Sequence, residues 1–319
     1  MGPGSVHLPH RNQLALVFAL IAALFWGLLP LALQIVVPVM DTYTITWCRF
    51  LVAGLFVGLF LATRSTLPRP WLLSRNLRAL LPVAVVGLTL NYTLFVVGVH
   101  LTSPATAQVV IQSANLFVLL GGLIVYRERF TRLQWLGAAV LLAGLGLFFN
   151  NRLAILFGGG SDLGLGVLLL VVGSLTWACY GLAQKRLLRE WNSAQLLWLL
   201  YLGGALLLTP FAHLGDLRRL DGREWWALAF CCLNTLVAYG AYAEAIHLGE
   251  VTRVSATVAV SPLFTSLATV LAAGWLLPLP SSEVPNLLTF VGVGAVVGGS
   301  ALCALGAPAR GGPAPAAPE

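Results

Sequence analysis

Charge is what this sequence has least of: Asp, Glu, Lys and Arg make up 9% of its 319 residues, against roughly 25% in a soluble globular domain. With 59% of residues hydrophobic, water is excluded as the main solvent, and no polar stretch remains that could form a soluble catalytic domain. Acidic side chains are scarcer still inside the apolar runs, where Glu244 is the only one. The five cysteines, Cys48, Cys179, Cys231, Cys232 and Cys303, fall within those runs. They have neither metal-ligand spacing nor the pattern of a disulfide framework, and they read as small packing residues. A phosphate-binding GxxxxGKS or GxxxxGKT loop is missing, so ATP-driven work would need another subunit. The glycine run 158–160 follows no strand and precedes no phosphate-binding lysine, and reads as a linker. Paired carboxylates and a nucleophile with its base are missing too. That leaves no catalytic residue, metal site or cofactor to assign, and the chain is read as not an enzyme.

What the sequence does have is a succession of long apolar runs. They cover 14–36, 44–63, 79–100, 104–126, 133–150, 163–184, 194–213, 225–247, 251–277 and 286–305, ten in all. A bilayer-crossing helix needs about 20 mostly apolar residues. Backbone polar groups in hydrocarbon must be satisfied within the segment, so each run is expected to be a helix. The first run is too long for a signal peptide, and no small-residue cleavage pattern follows it. Residues 1–13 are then an N-terminal cytoplasmic segment, 151–162 a linker, and the Pro/Ala/Gly-rich 306–319 a disordered tail.

The loops orient the bundle. With a cytoplasmic N-terminus, the cytoplasmic segments hold 13 of the 18 Lys and Arg residues, the opposite side holds Arg152, Arg218, Arg219 and Arg223, and Arg49 lies inside the second run. The positive-inside bias therefore places both termini in the cytoplasm. The net charge of +7 is spread over these short loops, where it sets topology and can meet anionic membrane lipid. It forms no stripe, and no nucleic-acid partner is expected.

The sequence also echoes itself. Trp26 with Trp177 and Trp47 with Trp198 are 151 positions apart, whereas Tyr92 with Tyr239, Phe95 with Tyr242, His100 with His247 and Phe117 with Phe264 are 147 apart. Residues 14–150 and 163–305 thus read as two five-helix repeats. Five is odd, so the second must enter the membrane from the opposite side. The expected fold is an all-α membrane protein of ten transmembrane helices in two inverted repeats, an architecture in which transporters place their site between the repeats, near mid-membrane.

Several short motifs carry a family resemblance: Phe25-Trp26-Gly27, Trp47-Cys48-Arg49-Phe50, Tyr126-Arg127-Glu128-Arg129, Thr176-Trp177-Ala178, and Arg253-Val254-Ser255 with Ser261-Pro262-Leu263. From about residue 14 to 305 the chain resembles an EamA-type member of the drug/metabolite transporter superfamily. The resemblance implies ten helices in two inverted repeats, a central cavity lined by helices one, three, four, six, eight and nine, and export of amino acids or related metabolites across a bacterial inner membrane. One departure is visible. The Glu that commonly follows the fourth helix of each repeat stands here as Glu128, but its counterpart is Trp275.

Within that frame the candidate substrate-binding residues fall into two sets. Gln108, Gln112 and Asn115 share a narrow stripe of helix four at ~100° per residue, where carboxamides can donate to and accept from a zwitterion. Interhelical glue is the competing reading. Helix nine offers Ser255, Pro262 and Ser266, and Pro262 and Pro30 remove backbone donors and can loosen their helices. The aromatic set is Trp26, Tyr92, Phe95, Trp177, Tyr180, Tyr239 and Tyr242, which could line an apolar or cation-accepting path or simply pack the core. Glu244 and His247, at i and i+3, are candidates for proton coupling or for an interfacial structural pair. Arg49, ionisable and inside a span, is a functional candidate by default, but it lies only a turn or two inside the outer face and could simply snorkel outward. Glycines 137, 144, 146, 292, 294, 298 and 299 read as scaffold for close helix packing within a protomer or in a homodimer.

The sequence thus favours a secondary transporter exporting a small-molecule metabolite, such as an amino acid, by alternating access. A flippase for a lipid or lipid-linked sugar and a non-transporting membrane scaffold are the other readings open at this level.

Overall fold

Thirteen α-helices account for most of the residues that the computed structural model describes, namely 8–70, 74–126, 130–157, 161–272 and 286–306, and no strand occurs among them. In chain order they are α1 (Leu8–Val36), α2 (Thr42–Thr63), α3 (Arg75–Leu101), α4 (Pro104–Val110), α5 (Ala114–Tyr126), α6 (Arg132–Phe148), α7 (Leu153–Phe157), α8 (Asp162–Leu187), α9 (Ser193–Leu208), α10 (Gly222–Leu248), α11 (Val251–Val258), α12 (Ser261–Ala272) and α13 (Leu287–Leu305). Nine spans among the described residues are long and apolar enough to cross a bilayer, with α4–α5 and α11–α12 each serving as one. The remaining expected crossing is α6. Its 17 residues reach about 25 Å at 1.5 Å per residue, short of an about 30 Å hydrocarbon core. Two boundaries differ from the sequence reading: α1 is helical from Leu8, and the linker contains the short helix α7. Glu128, Trp275, the glycine run 158–160 and the tail beyond 306 lie outside the described residues.

Polar residues at the helix starts explain where the spans begin. The side chain of Asp41 accepts from the N–H groups of Tyr43 and Thr44 at the start of α2, and Ser103 precedes Pro104 at the start of α4. Reciprocal capping boxes join Thr131 with Gln134, Asn192 with Gln195, and Asp221 with Glu224. Each satisfies donors that a helix leaves open in its first turn.

Large apolar side chains cover the outside, among them Leu55, Phe56, Leu59, Phe60, Ile124, Leu267 and Leu271. An apolar surface of that extent needs lipid against it. Inside, α1 packs on α10, α3 on α8, α2 on α9, α6 on α13 and α4 on α12. Gly137 and Gly144 of α6 let α13 approach so closely that a Cβ on Gly144 would lie 2.6 Å from the Val296 nitrogen. Gly292 and Gly299 face this seam from α13, whereas Gly146, Gly294 and Gly298 meet nothing within 4 Å, so the seam uses only part of the expected glycine set. Cys48, Cys231, Cys232 and Cys303 are buried as packing residues, and Cys179 is exposed.

Candidate binding cavity

Two interrupted spans shape the middle of the bundle. Between α4 and α5 the residues Ile111–Ser113 tighten into a 3-10 turn, and α11 stops at Val258, with two residues between it and α12. Shifted by 147, the turn at 111–113 falls on 258–260, so the breaks occupy equivalent positions of the two repeats. Pro262 has no N–H to offer the Val258 carbonyl, which accounts for the second break. The first has Asn115 at the matching position and forms without a proline. Pro30, by contrast, sits within a continuous α1.

The breaks are tied across the bundle. The Gln112 Nε2 donates to the Ala259 carbonyl at 3.1 Å, and the Gln108 Nε2 donates to Ser261 Oγ at 2.9 Å. Thr265 Oγ1 donates to the Gly27 carbonyl at 2.7 Å, where α1 has no side chain between it and α12. Asn91 of α3 donates through Nδ2 to the Gly173 carbonyl of α8 at 3.0 Å. Every one of these bonds joins different spans, so the polar residues position helices as well as facing the space between them.

That space is a cavity of about 220 Å³. Ten of the candidate substrate-binding residues line it: Trp26, Tyr92, Phe95, Gln108, Gln112, Asn115, Trp177, Tyr239, Tyr242 and Ser255. Tyr180 and Pro262 do not. Tyr180 is 2% exposed, stacks edge-on to Trp177 at 5.2 Å and fills the gap beside Gly87 of α3; it supports the wall from behind. Pro262 is buried in the first turn of α12, and Ser266 one turn on is also absent from the lining. Glu244 is exposed and, like His247, does not reach the cavity. The pair therefore sits apart from the cavity-lining residues.

Aromatic rings form one wall. Trp26 meets Tyr239 at 5.3 Å and Tyr242 at 5.4 Å, and Tyr239 also lies 6.3 Å from both Tyr92 and Trp177 and 6.4 Å from Tyr201. Tyr239 is thus the ring on which both repeats converge.

The residues missed by sequence reasoning are Arg49, Asn91, Ser261 and the apolar Leu29, Ile111, Ala114, Val258 and Ala259. Arg49 is the main correction. It does not snorkel outward: it is 2% exposed, its Nε donates to Thr235 Oγ1 of α10 at 3.2 Å, and its guanidinium carbon lies 4.5 Å from the centre of the Tyr92 ring. It stands about 10 Å into α2 at 1.5 Å per residue, a depth from which a long side chain can reach either way. A hint was present in the sequence. The repeat counterpart of Arg49, 151 positions on, is Leu200, so the charge breaks the symmetry that the surrounding residues keep.

The sequence profile of the EamA-like transporter family matches the chain twice, over residues 13–150 and 164–305. An uncharacterized transporter of Haemophilus influenzae is 37% identical over 299 residues, covering 94% of this chain and 97% of its own. An uncharacterized inner membrane transporter of Escherichia coli (strain K12) is 36% identical over 302 residues, covering 94% of each. A crystal structure that is 21% identical, over 90% of this chain and 95% of its own, superposes with a TM-score of 0.64 and supports the fold alone.

Proposed function

Since the chain belongs to the EamA-like transporter family and is a multi-pass membrane transporter, we propose that it is a secondary carrier exporting small metabolites, amino acids first among them, by alternating access across a bacterial inner membrane. The observation that carries this reading is the cavity. It lies between one set of helices contributing Asn91, Tyr92, Gln112 and Trp177 and another contributing Trp26, Tyr239, Tyr242 and Ser255, with both helix breaks at its edge. Its volume of about 220 Å³ leaves room for a metabolite of amino-acid size. Carboxamides and aromatic faces together suit a molecule with a polar head and an apolar side chain.

The inverted-repeat reading is supported by the packing. Exchanging spans one to five with six to ten turns the pair α3–α8 into α10–α1, and returns α2–α9 and α6–α13 to themselves. Both termini are placed in the cytoplasm on the charge bias of the loops, with 14–150 and 163–305 as the repeats. The driving force would be the substrate's own gradient or that of protons.

The test is counterflow of individual radiolabelled amino acids into proteoliposomes preloaded with an unlabelled mixed amino-acid pool. Uptake by the wild-type protein, lowered about tenfold or more by Gln112→Ala, is expected. A folded wild-type protein that takes up no amino acid would remove that substrate class and shift attention to lipid-linked molecules.

A further inference from the structure

Arg49 presents an electrostatic problem that the protein alone leaves unsolved. A guanidinium keeps its charge at any physiological pH, and a buried ion is costly unless it is paired and hydrogen-bonded. Among the described residues no carboxylate lies within 4 Å of it. Its hydrogen bond uses Nε and a neutral hydroxyl, and the Tyr92 ring supplies a cation–π contact. The four N–H groups on the two terminal nitrogens make no hydrogen bond to any described residue. They form the planar fork that receives a carboxylate through two parallel bonds, and the residue borders the cavity.

The rest of the cavity fits the other end of such a molecule. Since Gln112 donates its Nε2 to the Ala259 carbonyl, its Oε1 is left as an acceptor. The faces of Trp26, Tyr239 and Tyr242 attract a cation by their ring quadrupoles. A phosphate, at close to two negative charges, would leave one uncompensated, because Arg49 is the only cationic side chain in the cavity wall among the described residues. A single carboxylate balances it.

We propose that Arg49 is the specificity-determining residue of the cavity: it anchors the carboxylate of the transported molecule, and the remaining aromatic and carboxamide lining accepts an ammonium, so that the preferred substrate class is the zwitterionic α-amino acid. This rests on the carrier reading above for transport, but the binding step can be tested without it. The asymmetry has a rationale in these terms. A substrate with one anionic group needs one arginine, and Leu200 holds the equivalent position in the second repeat.

The experiment is thermal-shift titration of the purified protein in detergent with a panel of L-amino acids and their C-terminal amides, run beside counterflow of both in proteoliposomes. Wild-type protein is expected to be stabilised by one or more acids and at least tenfold more weakly by the matching amides. Loss of a charge-assisted pair lowers affinity about 10- to 100-fold, so Arg49→Leu should lose the response to the acid and with it the preference over the amide. Arg49→Lys should recover part of both. The ligand-free melting temperature of Arg49→Leu should be unchanged or higher, because an uncompensated buried charge has been removed. A purely structural arginine would instead lower that temperature and weaken acid and amide alike. Equal stabilisation by acid and amide, an Arg49→Leu response equal to wild type, or a folded wild-type protein that no amino acid stabilises would each overturn the proposal. Transport of amides as fast as acids would overturn it while leaving the carrier standing. Selective binding without counterflow would keep the anchor and remove the carrier.

Discussion

Tyr239 concentrates the energetics of the cavity wall in one residue. It is 8% exposed and within 6.4 Å, centre to centre, of the rings of Trp26, Tyr92, Trp177 and Tyr201. Aromatic pairs contribute about 0.5–1.5 kcal/mol each beyond the area they bury, and truncating a buried aromatic to alanine costs about 3–5 kcal/mol. Tyr239→Ala should therefore unfold at markedly lower temperature in detergent than wild type, with Tyr239→Phe within about 1 kcal/mol of it; similar melting of the two variants would show the rings to be independent. The residue scale is also where sequence and structure part most clearly. Tyr92, Phe95, Tyr239 and Tyr242 were legible because helical period and repeat register put them on matching faces. Tyr180 was not separable from Trp177 by period alone, since what turns it away is Gly87 on another helix. The direction of Arg49 depends on Thr235 and Tyr92, two further helices that local spacing cannot bring into view.

At the scale of the element, apolar run length identified the spans, because hydrocarbon leaves a backbone little choice but helix. Interruptions inside the spans were harder to read. Pro262 pointed to a loosened ninth span, and the break falls just ahead of it, whereas nothing between Gln108 and Asn115 signals the matching turn at Ile111–Ser113. Helix-to-helix distance was partly legible through glycine. Of the α6 glycines, Gly144 touches the backbone of α13 and Gly146 faces open space. A methyl group at 144 must push α13 away, an overpacking cost of about 1–3 kcal/mol. At 146 it removes only the helix penalty of glycine, worth up to about 1 kcal/mol in the opposite direction. Gly144→Ala should thus lower, and Gly146→Ala hold or raise, the melting temperature in detergent. Equal losses would mean that α6 and α13 are not in register as described.

At the scale of the whole molecule, the packing is symmetric along the flanks and asymmetric across the cavity. On one side a continuous apolar cluster draws in Leu33 and Val36 of α1, Val96 and Val99 of α3, Val109 and Val110 of α4, and Leu228 of α10. Here α1 touches α3 and α4, and α4 touches α12. On the other side the buried residues separate. One group gathers Tyr180, Leu187, Leu196 and Leu200 around α8 and α9, and a second holds only Ala19, Ala245 and Val254 with their neighbours. There α5 packs on α8, and α11 packs on α1 and α13. Exchanging the repeats turns α1–α3 into α8–α10 and α4–α12 into α5–α11, neither of which packs closely, so the asymmetry is the kind that the proposed alternating access would need. With cytoplasmic termini, the closed side is the outer one. In a variant free of native cysteines, a membrane-impermeant maleimide should then label Ser255→Cys from the cytoplasmic face and leave Val96→Cys, at a position now 0% exposed, unlabelled from outside. During amino-acid counterflow Val96→Cys should become reactive from outside as the seal opens. Protection of Val96→Cys that persists unchanged through active counterflow would place the pathway elsewhere, and labelling of Ser255→Cys from outside alone would reverse the orientation.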